Sequence, residues 1–285
     1  MDHVTEPMNV DSEVAKHISQ LHAEAMPLQE IKKRLIARGL HPQVIESGVR
    51  EIPRIAISLP YPKVQLRDFQ TTISLGDGRT ARILLNIRMP RLTLLGDFVN
   101  LKECNHLIKV ARPTLYRSMV VVNGLQRGKT SIKSYVRTSA EATIQKTRDA
   151  TVMGVYERLS RITGWPIQQM EDMQIIRYEK AEDFTPHYDY LNDSIEVDEI
   201  PKHEIDYRVA TAIIYLNAPN AGGCTSFVDI EADIYPQQGN ILIFSYPEQD
   251  ATSLTMHAGT PVISGVKWIA TIFLKTHSLG REINQ

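Results

Sequence analysis

Thr185-Pro186-His187-Tyr188-Asp189 is the stretch on which the reading of this chain turns. Residues two apart on an extended segment project from the same face, so His187 and Asp189 offer an imidazole nitrogen and a carboxylate oxygen to one ion. A third ligand has to come from elsewhere, and His257 is the expected one. Two histidines and one carboxylate cap one face of an octahedral metal and leave the opposite positions open, an arrangement that suits Fe(II). A His-x-Asp pair by itself is common in solvated loops. The downstream residues give it its weight.

At 285 residues the chain is long enough for one large domain, or one domain with a smaller appendage. Its formal net charge of -1 supplies no long-range field for nucleic acid or an anionic membrane, and neither is expected as a partner. Cysteine occurs only at Cys104 and Cys224, which excludes a disulfide framework and a zinc-type cysteine cluster. No apolar run reaches the roughly 18 to 20 residues of a membrane span. The N-terminus lacks an apolar signal core, so a soluble, cytoplasmic protein is expected.

Three zones divide the chain. Residues 1–52 read as a small helical module, with Val14, Ile18 and Leu21, then Leu28, Ile31, Leu35 and Ile36, recurring at helical spacing. Asp11 or Ser12 caps the first helix, Pro27 opens the second, Gly39 closes it, and Pro42 opens a third through Val49. Helices this short bury little surface alone. They are expected to cap the main domain, or alternatively to form a homodimer contact or a substrate gate. Residues 53–90 turn to strand character. Val64-Gln65-Leu66 through Ile73-Ser74-Leu75 leads into Gly76-Asp77-Gly78, and Ala81 to Ile87 returns, a β-hairpin that forms an edge of the main sheet or a small arm.

Residues 91–285 carry the chemistry. A helix opens on Asn100-x-x-Glu103, a capping-box pattern, with Cys104, Leu107, Ile108 and Ala111 on its apolar face. A second helix is predicted over Ala140 to Thr163. Strands follow at Met173 to Glu179, Arg208 to Leu216, Gly239 to Tyr246, Thr252 to His257 and Val266 to Leu274. Many short strands behind a group of helices predict a mainly β, α+β fold: a two-sheet jelly roll buttressed by helices. The polar stretch from Asn192 to Asp206 reads as a solvated loop placed to act as an active-site lid.

In order along residues 92–274 the chain carries Arg177-Tyr178, His187-x-Asp189, Arg208-Val209-Ala210-Thr211 and Tyr215-Leu216-Asn217. Gly222-Gly223-Cys224-Thr225-Ser226-Phe227, Pro236-x-x-Gly239-Asn240, His257-Ala258-Gly259-x-Pro261-Val262 and Gly265-x-Lys267-Trp268 follow. This set resembles the prolyl 4-hydroxylase branch of the Fe(II)/2-oxoglutarate dioxygenases. The resemblance implies a double-stranded β-helix core that uses Fe(II), 2-oxoglutarate and O₂, with ascorbate as reductant. It implies hydroxylation of an unactivated C–H, with succinate and CO₂ as co-products. It assigns His187, Asp189 and His257 to the iron, and Lys267 to the distal carboxylate of 2-oxoglutarate. Tyr178, Thr225 and Thr271 match positions where the family places hydroxyls around that carboxylate. The residues themselves support part of this. Lys267 sits among Val266, Trp268, Ile269 and Ala270, in a strand expected to be covered on both faces, where an ammonium needs a counter-charge. Lys267, Ile269, Thr271 and Phe273 share one strand face.

Phe184, Arg208 and Phe273 stand where the peptide-acting relatives build their substrate channel, and Arg137-Thr138-Ser139 resembles a motif on the flanking loop. The family often carries tyrosine or tryptophan at two of these positions. Phe184 and Phe273 offer an apolar wall without a polar handle, while Arg208 or Arg137 can clamp a carboxylate in bidentate fashion. The expected substrate is therefore proline or a proline-like cyclic amino acid, free or in a small metabolite. The alternatives are a peptidyl-prolyl 4-hydroxylase acting on a proline-containing peptide or protein and, more remotely, a non-catalytic jelly-roll binding module.

Overall fold

The computed structural model of the protein describes residues 14, 16–18, 20–21, 28–55, 59–117, 119–121, 131–133, 138–190 and 206–277. Arg137, residues 192–205 of the expected lid, and the expected capping positions Asp11, Ser12 and Pro27 lie outside them.

The described residues 14, 16–18 and 20–21 are helical, and two further helices follow, α1 (Leu28–Ala37) and α2 (Pro42–Ile55). Gly39 between them takes φ 89°, the left-handed conformation that closes a helix without a Cβ penalty. Helix α2 continues past Val49, with Pro53 in its last turn. A meander of β1 (Thr72–Ser74), β2 (Thr80–Ile87) and β3 (Arg91–Gly96) leads into α3 (Leu101–Ala111). Short strands β4 (Tyr116–Arg117), β5 (Met119–Val121) and β6 (Ser131–Lys133) precede β7 (Ala140–Ile144) and α4 (Ala150–Thr163). The remaining strands are β8 (Met173–Tyr178), β9 (Phe184–His187), β10 (Asp206–Tyr215), β11 (Ala221–Gly222) and β12 (Thr225–Phe227). They continue as β13 (Ala232–Ile234), β14 (Ile241–Ser245), β15 (His257–Gly259), β16 (Val262–Ser264) and β17 (Lys267–His277).

Among the described residues, nine strands form the major sheet in the order β1-β2-β3-β14-β10-β17-β8-β7-β4. The hairpin around Gly76 is thus its edge. A four-stranded sheet, β13-β12-β15-β9, faces it. Period-2 alternation sorts the two faces of the major sheet. Trp268, Ala270, Ile272 and Leu274 of β17 join Leu107 of α3 and Val155 and Leu159 of α4 in one core. Ile269, with Ile176, Ile213 and Tyr215, joins Phe227 and Ile234 of the smaller sheet in the other. This is the jelly roll with a helical buttress that strand count and order implied.

Local chemistry sets the element boundaries. Asn100 and Glu103 close a capping box on α3, Glu103 N–H donating to Asn100 Oδ1 at 3.0 Å and Asn100 N–H to Glu103 Oε2 at 2.8 Å. The helix expected over Ala140 to Thr163 divides: its first residues are strand β7, paired antiparallel to β8 with Ala142 opposite Ile175. The helix starts only at Ala150, because the Asp149 carboxylate accepts the N–H groups of Thr151 and Val152. The strand expected over Thr252 to His257 begins only at His257. Asp250 takes the Thr252 N–H at 2.7 Å and the Thr252 hydroxyl at 2.6 Å, curling Ala251–Ser253 into a 3₁₀ turn.

That turn receives the N-terminal helices. Ile18, Ile31, Leu35 and Ile45 bury their side chains in one cluster with Ala251, and Leu254 packs against it. The module is seated three to six residues ahead of His257, on Leu254 and Ala251. No helix among the described residues is long and apolar enough to cross a membrane.

Candidate metal centre and co-substrate pocket

His187 ends β9 and His257 opens β15, and the register of these antiparallel neighbours places the two residues directly opposite each other. Their ring centroids are 4.4 Å apart. Asp189 follows two residues after His187, its carboxylate oxygens 3.5 Å from the Nε2 of each histidine. One donor atom from each of the three lies within 4.8 Å of the others, so they can converge on one ion.

Each histidine is oriented by its own strand. His187 Nδ1 lies 2.8 Å from the Thr185 carbonyl and His257 Nδ1 lies 3.1 Å from the Thr255 carbonyl. A carbonyl only accepts, so each Nδ1 carries the proton and each Nε2 presents its lone pair toward Asp189. Burial pushes the His257 pKa down to about 4, with Asp189 opposing, which keeps the ring neutral and ready to ligate at neutral pH. Burial alone would raise the Asp189 carboxyl. The electrostatic influence of the two histidines and the hydrogen bond from Thr211 outweigh it and hold the group well below the usual carboxylate range. Two imidazoles oriented by their own strands around an ionised carboxylate fit a divalent metal.

The pocket runs inward between the two sheets. Lys267, Ile269, Thr271 and Phe273 line it from β17, and Tyr178, Ile176 and Gln174 line it from β8. The register sets Lys267 against Tyr178, Ile269 against Ile176 and Thr271 against Gln174. The Lys267 ammonium is 5.3 Å from the centre of the Tyr178 ring. Lys267 is only 2 % exposed. Among the described residues no carboxylate lies within ion-pair distance of it. Burial pushes its pKa down to about 8, with Cys224 opposing. A buried ammonium left without a counter-charge is costly, and a dicarboxylate entering the pocket supplies one. Thr225 lines the same space. Its oxygen accepts the Tyr215 hydroxyl at 2.9 Å, which leaves its own proton free for a ligand. Gly222 and Gly223 take φ 76° and 72°. A Cβ on Gly223 would stand 3.2 Å from Lys267 Cδ, tighter than an ordinary contact, so the bare backbone leaves room for the lysine stem.

The outer residues are arranged less as the sequence suggests. Phe184 stacks on the His187 ring at 3.5 Å between centroids and forms part of the wall. Arg208 is not a free clamp. Its Nε and Nη2 each donate to Glu171 at 2.8 Å, and its guanidinium carbon lies 3.6 Å over the Phe273 ring. The fork is already filled. Glu171 carries no motif and lies 37 positions from its partner, so only tertiary structure reveals the pair. Gln174 was legible as the next inward position of the period-2 face through Ile176 and Tyr178.

Fold and site together define a class: metal-dependent oxygenases of jelly-roll fold that take a keto-diacid as co-substrate. Residues 173–275 match the 2OG-Fe(II) oxygenase superfamily. Prolyl 4-hydroxylase 2 of Arabidopsis thaliana is 32% identical over 215 residues, covering 67% of this chain and 69% of that protein. Probable prolyl 4-hydroxylase 7 of the same plant is 32% identical, over 69% of this chain and 66% of its own length. The crystal structure of viral collagen prolyl hydroxylase from Paramecium Bursaria Chlorella virus-1, a 2-oxoglutarate complex, shares the fold at 24% identity. Its TM-score is 0.50, over 65% of this chain and 96% of that one. This chain belongs to the 2-oxoglutarate- and Fe(II)-dependent oxygenase superfamily, in its prolyl 4-hydroxylase branch. It is a 2-oxoglutarate-dependent hydroxylase with Fe(II), 2-oxoglutarate and O₂ as its reactants and cofactor.

Proposed function

We propose that the protein hydroxylates proline residues within a peptide or protein chain, with ascorbate as reductant. The observation that carries this reading is the Arg208–Glu171 pair. A free amino acid presents a carboxylate that has to be neutralised in the pocket, and the guanidinium expected to do so is held by Glu171 and Phe273. A peptide-bound proline has no such carboxylate. The free or metabolite-borne proline favoured by the motifs alone therefore gives way to the peptidyl reading, in keeping with the prolyl 4-hydroxylases that this chain resembles at 32% identity.

In this reading His187, Asp189 and His257 hold the iron. When bound, Fe(II) couples the reduction of O₂ to decarboxylation of 2-oxoglutarate to succinate and to insertion of one oxygen atom into the substrate C–H. The chain's contribution is placement. Lys267 pairs with the distal carboxylate of 2-oxoglutarate, the hydroxyls of Tyr178 and Thr225 donate to it, and Thr271 continues that face outward. Phe184 and Phe273 wall the mouth with apolar surface that suits a pyrrolidine ring and keeps water out. Two outcomes test the proposal. Succinate release measured across proline-containing peptides and free cyclic amino acids is expected to follow the peptides; turnover of free amino acids alone overturns it. His187→Ala is expected to abolish release, and full turnover in that variant refutes the ligand assignment.

A further inference from the structure

Asp189 is held from behind by two hydroxyls, Thr211, which closes the run Arg208-Val209-Ala210-Thr211, and Tyr246, which lies in none of the quoted runs. Thr211 on β10 and Tyr246, just after β14, are both fully buried. Thr211 Oγ1 lies 2.7 Å from Asp189 Oδ2 and 2.8 Å from the Tyr246 hydroxyl. The direction of this chain is determined by chemistry. An ionised carboxylate only accepts, so Thr211 must spend its single proton on Asp189, and its oxygen then accepts the proton of Tyr246. Burial pushes the Tyr246 phenol well above its ordinary pKa, with Asp189 adding to the effect, so that proton stays in place. The rows Ala210↔Ser245 and Thr211↔Phe244 bring the two hydroxyls together across the sheet.

We infer that Thr211 and Tyr246 form a directional hydrogen-bond relay that fixes the plane of the Asp189 carboxylate. Oδ1 faces His187 Nε2 and Oδ2 faces His257 Nε2, each at 3.5 Å, and because Oδ2 already spends a lone pair on Thr211, the relay favours Oδ1 as the oxygen presented to the metal. The relay thereby keeps Asp189 a one-oxygen ligand and leaves room on the open face for the keto acid and O₂. Thr211 and Tyr246 are positioning residues, acting only through Asp189. The inference rests on Asp189 being a metal ligand.

Binding of Co(II) to the full chain, followed by calorimetry and by the visible d–d spectrum of the bound ion, tests this without turnover. Thr211→Val keeps the side chain's shape and removes the hydroxyl. It is expected to weaken Co(II) binding about 10–100-fold, the usual cost of losing a hydrogen bond behind a metal ligand, and to alter the d–d bands. Thr211→Ser is expected to restore both to within about threefold of the parent. Tyr246→Phe is expected to weaken binding in the parent but to add nothing in the Thr211→Val background, because the relay is already broken there. Parent-like Co(II) affinity and spectrum in Thr211→Val overturn the relay. So does an equal effect of Tyr246→Phe in both backgrounds. If Thr211→Val does not fold, Tyr246→Phe with an unchanged spectrum overturns it instead. Asp189→Ala separates the two levels of the argument: parent-like binding there removes the ligand assignment itself, whereas lost binding there with an intact Thr211→Val removes only the relay.

Discussion

Raising the pH from 7 to 9 is expected to weaken 2-oxoglutarate binding about tenfold. The cause lies in Lys267, whose burial without a carboxylate partner among the described residues brings its pKa to about 8. In the proposed arrangement the dicarboxylate pairs with the ammonium form and raises that pKa again, so affinity is expected to follow the protonated fraction of the free protein. That fraction falls from roughly 0.9 at pH 7 to roughly 0.09 at pH 9, equivalent to about 1.4 kcal/mol. Both carboxylates of the ligand are ionised throughout this range. The assay is anaerobic calorimetry on metal-loaded protein at several pH values. Lys267→Arg supplies the control, because a guanidinium stays charged to well above pH 10 and should bind with a flat profile. A dissociation constant in the parent protein that does not change between pH 7 and pH 9 would refute the reasoning. The same shift affects stability with a definite sign. The folded pKa lies below the unfolded value of 10.5, so the unfolded chain binds more protons between about pH 8 and 10.5. The ligand-free protein therefore gains stability as pH rises through that window, and saturating 2-oxoglutarate is expected to remove the gain.

Gly223→Ala is expected to cost roughly 1–3 kcal/mol, because it forces an L side chain to φ 72° and presses a methyl group toward Lys267 Cδ. A raised 2-oxoglutarate dissociation constant with unchanged metal affinity is the readout, and no change in either would show the glycine to be incidental. Ile45, 1 % exposed in the cluster with Ala251, should lose about 2–4 kcal/mol of stability when replaced by alanine. A loss below about 1 kcal/mol in chemical denaturation would mean that the N-terminal helices are not seated on the Ala251–Ser253 turn. Glu171→Ala strands the Arg208 guanidinium and frees its fork. Stability is expected to fall by about 1–3 kcal/mol, and free cyclic amino acids should then bind better than they do to the parent; unchanged binding would show that Arg208 is no latent carboxylate site.

Much of the site was legible because its chemistry is local. His187 and Asp189 are two residues apart, and Lys267, Ile269, Thr271 and Phe273 lie on one face of one strand, so strand geometry alone assembles each group. The capping box at Asn100 and Glu103 was legible for the same reason. The errors fell where a short-range signal competed with sheet pairing. Ala140 to Ile144 has the composition of a helix start, yet its backbone groups are taken by β8. Thr252 has the β-branched character of a strand, yet Asp250 turns it into a 3₁₀ bend.

By itself the sequence determined the fold class, set His187 and Asp189 on one face and put Lys267 on a strand face with Thr271, because periodicity and residue chemistry act over a few positions, whereas His257 was expected from the family resemblance. Tertiary structure decided everything that depends on a partner distant in the chain. It seats the N-terminal helices on the turn before His257, it puts Thr211 and Tyr246 behind Asp189, and it gives Arg208 to Glu171. A guanidinium reads the same in sequence whether its fork is empty or full. Only the folded chain shows that a carboxylate 37 residues away has already filled it.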